Sequence, residues 1–355
     1  MAKQGQTGIV WTDETWNPVT GCTKVSQGCK HCYAERDWQR LQHLPRFAGR
    51  AFTDVVCHPE RLDQPLRWSK PRRVFVNSMS DLFHDDVPDE FIDEVFAVMA
   101  LATQHTFQVL TKRPERMRDY MLDPAMNNRF GMARARIFYA HSVCDCDVWM
   151  SGQQFRPLPN VWLGVSVEDQ ATADERIPIL LQTPAAVRWI SAEPLLGPID
   201  LTSLMYYPCP NADDMTMDPG TGSYECCRQC EFTGIGNDIG IDWVVAGGES
   251  GPKARPSHPD WFRSLRDQCA EAGVAFLFKQ WGGWIPYEHD AHSPFMHSQH
   301  GDFFDASRLP DFESGEWEMQ REWHFDWASQ LLARRVSKRA AGRLLDGVQH
   351  DEYPA

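Results

Sequence analysis

Short apolar bursts that end in polar residues recur along the middle of this chain. Stretches with apolar residues three and four positions apart separate several of them. Arg73–Asp81 starts β-rich and ends polar. Phe91, Ile92, Val95, Phe96 and Met99 follow at helical spacing, with Asp85 or Asp86 as the cap and Pro88 in the first turn. Thr106–Arg113 is the next strand, and Pro114 opens another helix. The rhythm continues with strand Val161–Glu168, helix Thr172–Gln182, and strands Val187–Pro194 and Trp243–Gly251. A helix capped by Ser257 carries Trp261, Leu265 and Cys269 and stops at Gly273, before strand Val274–Gly283. Strands alternating with helices predict parallel βα units. With a short strand in the lead-in, residues 1–20, they number six or seven. The expected fold class is α/β, a partial (β/α) barrel with loop insertions.

Other stretches fill the gaps. Tyr33–Gln42 reads as a helix, and His58–Trp68 has helical potential. Residues 123–160 and 202–240 break the rhythm and read as insertions into βα loops, the second rich in Gly, Asp and Pro. Residues 285–325 read as a long loop or covering segment, and 326–345 as a helix ending in Gly342–Gly347. The expectation is one barrel-like domain over 1–355, with 285–355 as a C-terminal covering segment and helix.

Composition narrows the class. The 355 residues are 42% hydrophobic and 24% charged, as in ordinary soluble domains. A net charge of −14 argues against a broad, charge-driven nucleic-acid binder and leaves room for a local basic groove. The start, Met1–Trp11, has no apolar signal core, and no apolar stretch approaches a membrane span. A cytoplasmic protein with reduced thiols is expected. Its eleven cysteines then point to metal or redox chemistry rather than to a disulfide framework.

Cys22, Cys29 and Cys32 form Cys-x6-Cys-x2-Cys among glycines and small polar residues. Such a run makes a poor core and a good thiolate loop. It can hold three irons of a [4Fe–4S] cube, or zinc with His31 or a distant cysteine as fourth ligand; buried structural thiols are the remaining reading. Cys209, Cys226, Cys227 and Cys230 form a second group. That group suits a zinc (Zn2+) staple, an auxiliary cluster or unliganded thiols, and Cys144, Cys146 and His141 join it or another site. Functional faces of parallel βα arrays lie at the C-terminal ends of the strands. Here those ends carry Asn77, Ser78 and Asp81, then Thr111, Lys112 and Arg113, then Ser166 and Glu168, then Ser191 and Glu193, then Glu249 and Ser250, then Lys279 and Gln280. Gln108, inside an apolar strand, needs a partner if buried. The glycines of Gly247–Gly251 permit close backbone approach. No P-loop, Gly-x-Ser-x-Gly elbow or His-Glu-x-x-His helix is present.

A three-cysteine loop after the first strand of a partial barrel resembles the radical S-adenosylmethionine (SAM) superfamily. The usual spacing there is Cys-x3-Cys-x2-Cys with an aromatic before the third cysteine; here the first gap is six and His31 takes the aromatic position. Nearly the whole chain also resembles a family of phage and bacterial proteins known by a three-cysteine motif. The phrases that carry this are Asn17–Cys22, Asn77–Phe83, Phe107–Arg113, Ser191–Leu196, Gly247–Gly251, Phe278–Gly282 and Gly342–Gly347.

The resemblance implies a [4Fe–4S] cluster on Cys22, Cys29 and Cys32, with SAM on the open iron, cleaved to a 5′-deoxyadenosyl radical. By position, Asn77, Ser78, Ser80 and Asp81 would hold the SAM amino group, and Ser166 and Glu168 its ribose. Ser191 and Glu193 would lie near the adenine or the substrate. Lys112, Glu193, Glu249 and Lys279 are the candidate catalytic residues of the mouth, with Arg113 and Gln280 beside them. The implied partners are SAM, an electron donor and a polar substrate, with a nucleotide or nucleic acid suggested by phage association. Two rivals stand beside this: a zinc-stapled binding protein without radical chemistry, and a hydrolase or lyase using strand-end carboxylates.

Overall fold

Seven strands, taken in chain order, form one parallel sheet. They are β1 (Glu14–Trp16), β2 (Arg73–Val76), β3 (Thr106–Thr111), β4 (Val161–Val167), β5 (Val187–Ala192), β6 (Trp243–Gly247) and β7 (Ala275–Gln280). Each strand pairs with its neighbours in sequence, so the sheet winds in one direction and curls into a half-barrel. Among the described residues β1 and β7 do not pair with each other. The computed structural model describes residues 7–44, 47–141, 157–207, 216–217, 224–225, 239–286, 323–326 and 331–354. No helix among them is long and apolar enough to cross a membrane.

Among the described residues the α-helices are α1 (Tyr33–Leu41), α2 (Asp89–Leu101), α3 (Pro114–Leu122), α4 (Met126–His141), α5 (Gln170–Leu181), α6 (Pro259–Ala272) and α7 (Lys338–Ala341). The period of two along each strand divides the core. Val74, Val76, Phe107, Val109, Leu163, Val165, Ile190, Val244, Ala246, Phe276 and Phe278 pack on the helix side. Phe75, Trp189, Trp243, Val245 and Leu277 face the interior of the curl, where Trp11 joins them.

Aromatic rings fill that interior. Trp11 lies 4.8 Å from Phe75 and 5.3 Å from Trp189, and Trp189 lies 5.3 Å from Trp243, centroid to centroid. Gly164 makes room for them: a Cβ there would stand 2.5 Å from Trp189 Nε1. Gln108 is fully buried and donates through Nε2 to Trp11 O at 3.3 Å, which supplies one of the partners its burial demands. The chain end covers the open side. Glu352 N–H donates to Phe276 O, Trp243 Nε1 donates to Glu352 O, and Tyr353 packs between Trp243 and Arg73.

Several local expectations change. Residues 331–345 are not one helix: β10 (Leu331–Arg335) pairs antiparallel with β8 (Trp284–Pro286) and β9 (Trp323–Asp326), and only the short α7 follows. Strands therefore occur where a loop was expected around 285–325. His58–Trp68 holds two single 3₁₀ turns, each opened by a proline, Pro59 and Pro65. Pro88, not Asp85 or Asp86, is the N-cap of α2. His258 caps α6, because Ser257 Oγ instead donates to Leu195 O at 2.6 Å. Residues 123–160 lie between α3 and β4, a helix-to-strand connection, and the greatest part of α4 packs against α2. Cys144, Cys146, Cys209, Cys226, Cys227 and Cys230 lie outside the described residues.

The interior makes a direct prediction. Gly164→Ala pushes a methyl group into the buried Trp189 ring, so unfolding in urea should show a loss of about 1–3 kcal/mol. Unchanged stability would mean that Trp189 does not need that space.

Candidate functional site: a cysteine loop stitched to the strand ends

The cysteine loop leaves the sheet at the C-terminal end of β1, on the face where the strand ends collect. Its lead-in is sewn to the end of β2. Asn17 Oδ1 accepts from Ser78 Oγ at 3.2 Å and from Met79 N–H at 3.0 Å. Asn77 Oδ1 accepts from Val19 N–H at 3.2 Å, and Ser80 Oγ donates to Val19 O at 2.9 Å. Asn77 reaches this geometry with φ 61°, a conformation asparagine tolerates better than most residues. Gly21 has φ 94°, and a Cβ on it would collide with Asp54 O. Two of the phrases noted in the sequence, Asn17–Cys22 and Asn77–Phe83, are thus the two halves of one seam.

The next support comes from β3. Asp81, buried, accepts from Phe83 N–H, Thr111 Oγ1, Lys112 N–H and Arg113 Nη1, all at 2.8–3.1 Å. The oriented Arg113 donates to Thr23 Oγ1 at 2.9 Å and reaches Cys22 Sγ at 3.9 Å. His84 Nδ1 accepts from Asp86 N–H, so its Nε2 carries the proton and donates to Thr23 Oγ1 at 2.8 Å. Burial, with Arg113 nearby, holds His84 below the usual histidine range.

Two acidic residues hold the middle of the loop. Glu168 accepts from Ser26 Oγ at 3.0 Å and pairs with Lys112 and with Arg176 Nη1. Glu249 pairs with Arg255, whose Nη2 also donates to Gln27 O at 3.1 Å. The Gly247–Gly251 turn can present Glu249 because Gly248 and Gly282 bring two turns backbone to backbone. A Cβ on Gly248 would strike Trp281 O, and one on Gly282 would strike Glu249 O.

The three thiols are unbridged. Burial pushes Cys22 up to about 11, helped by Asp81 and opposed by Arg113. Burial raises Cys32 too, opposed by the nearby Glu35 and Ala34 amides at the start of α1, where the Cys32 side chain makes no cap hydrogen bond. Cys29 adds electrostatically to both rises. A guanidinium 3.9 Å from one sulfur and the positive end of a helix beside another suit ligand sulfur bearing negative charge. Among the described residues no group of three or more His, Cys, Asp or Glu side chains is arranged to hold a metal ion.

Across the mouth, Lys279 Nζ donates to both oxygens of Glu193, at 2.8 and 2.6 Å, and Gln280 Nε2 lies 3.4 Å from the same carboxylate. Ser166 and Ser191 sit side by side in register on β4 and β5, both buried. Tyr33, the residue after Cys32, donates its hydroxyl to Ser78 O at 2.6 Å.

Residues 6–354 match the family described as Protein of unknown function (DUF5131). The chain belongs to that family. No curated protein matches it. Two solved structures are similar to this DUF5131 chain. One is a cysteine-to-serine mutant of spore photoproduct lyase, 9% identical, TM-score 0.35, covering 93% of this chain and 70% of that one. The other is spore photoproduct lyase complexed with dinucleoside spore photoproduct, 9% identical, TM-score 0.34, covering 91% and 68%.

In this DUF5131 chain, Asn77, Ser78, Ser80, Asp81, Lys112, Glu168 and Glu249 all contact the cysteine loop or a residue that holds it. Glu193 and Lys279 form a separate pair. Asn17, Ser26, His84, Arg176 and Arg255 were not singled out from sequence. Arg176 alone left a signal: it falls at helical spacing among Ala173, Ile177 and Leu180, and an arginine in a buried stripe must meet an acid.

Asp81 is the densest node, and removing it strands Arg113. Asp81→Ala should lower unfolding free energy by about 3–5 kcal/mol, the cost of leaving a buried charge unpaired. Chemical denaturation checks this, and a loss below about 1 kcal/mol would place Asp81 in an ordinary surface contact.

Proposed function

We propose that the chain is a radical-SAM-like iron–sulfur enzyme in which Cys22, Cys29 and Cys32 ligate a [4Fe–4S] cluster. The observation that carries this reading is the position of a three-thiol loop, braced by buried charges, at the C-terminal mouth of a parallel half-barrel. Such a cluster supplies an electron for reductive cleavage of SAM to a 5′-deoxyadenosyl radical.

The chain's own residues do the rest. Arg113 and the first amides of α1 offset part of the rise that burial imposes on Cys22 and Cys32. Lys279 has three N–H donors and directs two at Glu193, leaving the third for an oxygen of a polar substrate. Glu193 and Gln280 add acceptors beside it, a set suited to a nucleotide or nucleic-acid base. SAM, an electron donor and that substrate are the partners of this reading.

Anaerobic purification with iron and sulfide analysis tests it. The expected yield is about four irons and four sulfides per chain, with release of 5′-deoxyadenosine when SAM and a strong reductant are added. Cys29→Ala should abolish that release. A colourless protein carrying stoichiometric zinc at this loop would overturn the proposal.

A further inference from the structure

Glu168 is the most enclosed carboxylate of the mouth; its side chain is 1% exposed. It lies between two cations, Lys112 and Arg176, with Arg176 Nη1 3.3 Å from Oε2. Ser26 Oγ, from the cysteine loop, donates to its Oε1 at 3.0 Å. Gly28 passes so close that a Cβ on it would strike the same carboxylate oxygen. Ser26 Oγ also lies 3.9 Å from Cys29 Sγ, and Cys29 N–H bonds back to Ser26 O at 3.0 Å. The turn Gln27–Cys29 is therefore pressed onto Glu168. The other two thiols are placed from elsewhere: Cys22 by Arg113 of the Asp81 node, and Cys32 by its position as the N-cap residue of α1.

We propose that Glu168 is the positioning residue for Cys29, acting through Ser26 and through the bare backbone of Gly28. Lys112 and Arg176 hold the carboxylate fixed; the carboxylate holds Ser26; Ser26 sets the turn that carries the thiol. The three cysteines thus have different immediate supports, with Lys112 joining the Glu168 and Asp81 nodes through its backbone N–H on Asp81. Glu168 touches no reacting atom in this role, and its carboxylate is spent on the protein rather than on a ribose. The inference rests on the cysteine loop as the functional centre, whatever that centre binds.

Alkylation of the reduced, metal-free, full-length chain by iodoacetamide, followed residue by residue with mass spectrometry, tests it without catalytic turnover. Ser26→Ala and Glu168→Ala should each speed modification of Cys29 about tenfold, a factor worth about 1.4 kcal/mol and near the low end for a hydrogen bond to a charged group. Cys22, supported separately, should stay within about twofold. Glu168→Gln keeps an oxygen for Ser26 but no charge to face Lys112 and Arg176, so Cys29 should react at a rate between those of the native chain and Glu168→Ala. Buried Cys269 reports on the fold. If Glu168→Ala exposes Cys269, the barrel has opened, and the decision falls to Ser26→Ala, which removes only the loop's half of the bond. An unchanged Cys29 rate in Ser26→Ala, or an equal rise at Cys22 and Cys29, would overturn the proposal. Iron analysis of the reconstituted protein separates this from the cluster reading: failure to bind iron leaves the alkylation result standing.

Discussion

A buried polar group without a partner costs more than most single contacts contribute, and this constraint organises the mouth of the half-barrel. The strands end in polar and charged side chains that the folded chain largely encloses. Many of them reach the segment from Asn17 to Cys32, directly or through Arg113 and Arg255, while Glu193 and Lys279 pair with each other. Asn77, Ser78 and Ser80 bond to the lead-in; Asp81 orients Arg113 toward Cys22; Glu168 and the Glu249–Arg255 pair hold the turn before Cys29. The loop satisfies the strand ends, and the strand ends shape the loop.

Below the mouth the sheet obeys a different economy. Its inner face is filled by large rings rather than by the branched aliphatic residues that usually fill such barrels. Trp11, ahead of β1, and Tyr353, after β7, enter the same cluster. Gly164 is the compensating gap. A floor packed this way gives the strand ends fixed positions, and fixed positions are what the loop's hydrogen bonds require.

Much of the fold was legible in the residues. Period-two strands and 3.6-period helices gave the parallel βα order, and seven strands fall within the expected count. The failures have physical causes. Leu331–Arg335 has no strand alternation and reads as helix, yet pairing with Trp284–Pro286 and Trp323–Asp326 decides its conformation. The cysteines and polar strand ends were visible as a set, but their partners were not. Whether Glu168 meets a ligand or Ser26 depends on how the loop folds back across 142 residues of sequence, and spacing carries no record of that. Ser26 and Arg255 look like ordinary loop residues until the mouth is assembled.

In the proposed reading, the braced Cys22–Cys32 loop carries a cluster with one open iron. Electron paramagnetic resonance of the anaerobic, reduced protein, recorded with and without SAM, tests it most directly. The account predicts a reduced four-iron signal that changes shape when SAM is added and is lost in Cys29→Ala. A silent spectrum from a zinc-loaded protein, or a cluster signal indifferent to SAM, would contradict it.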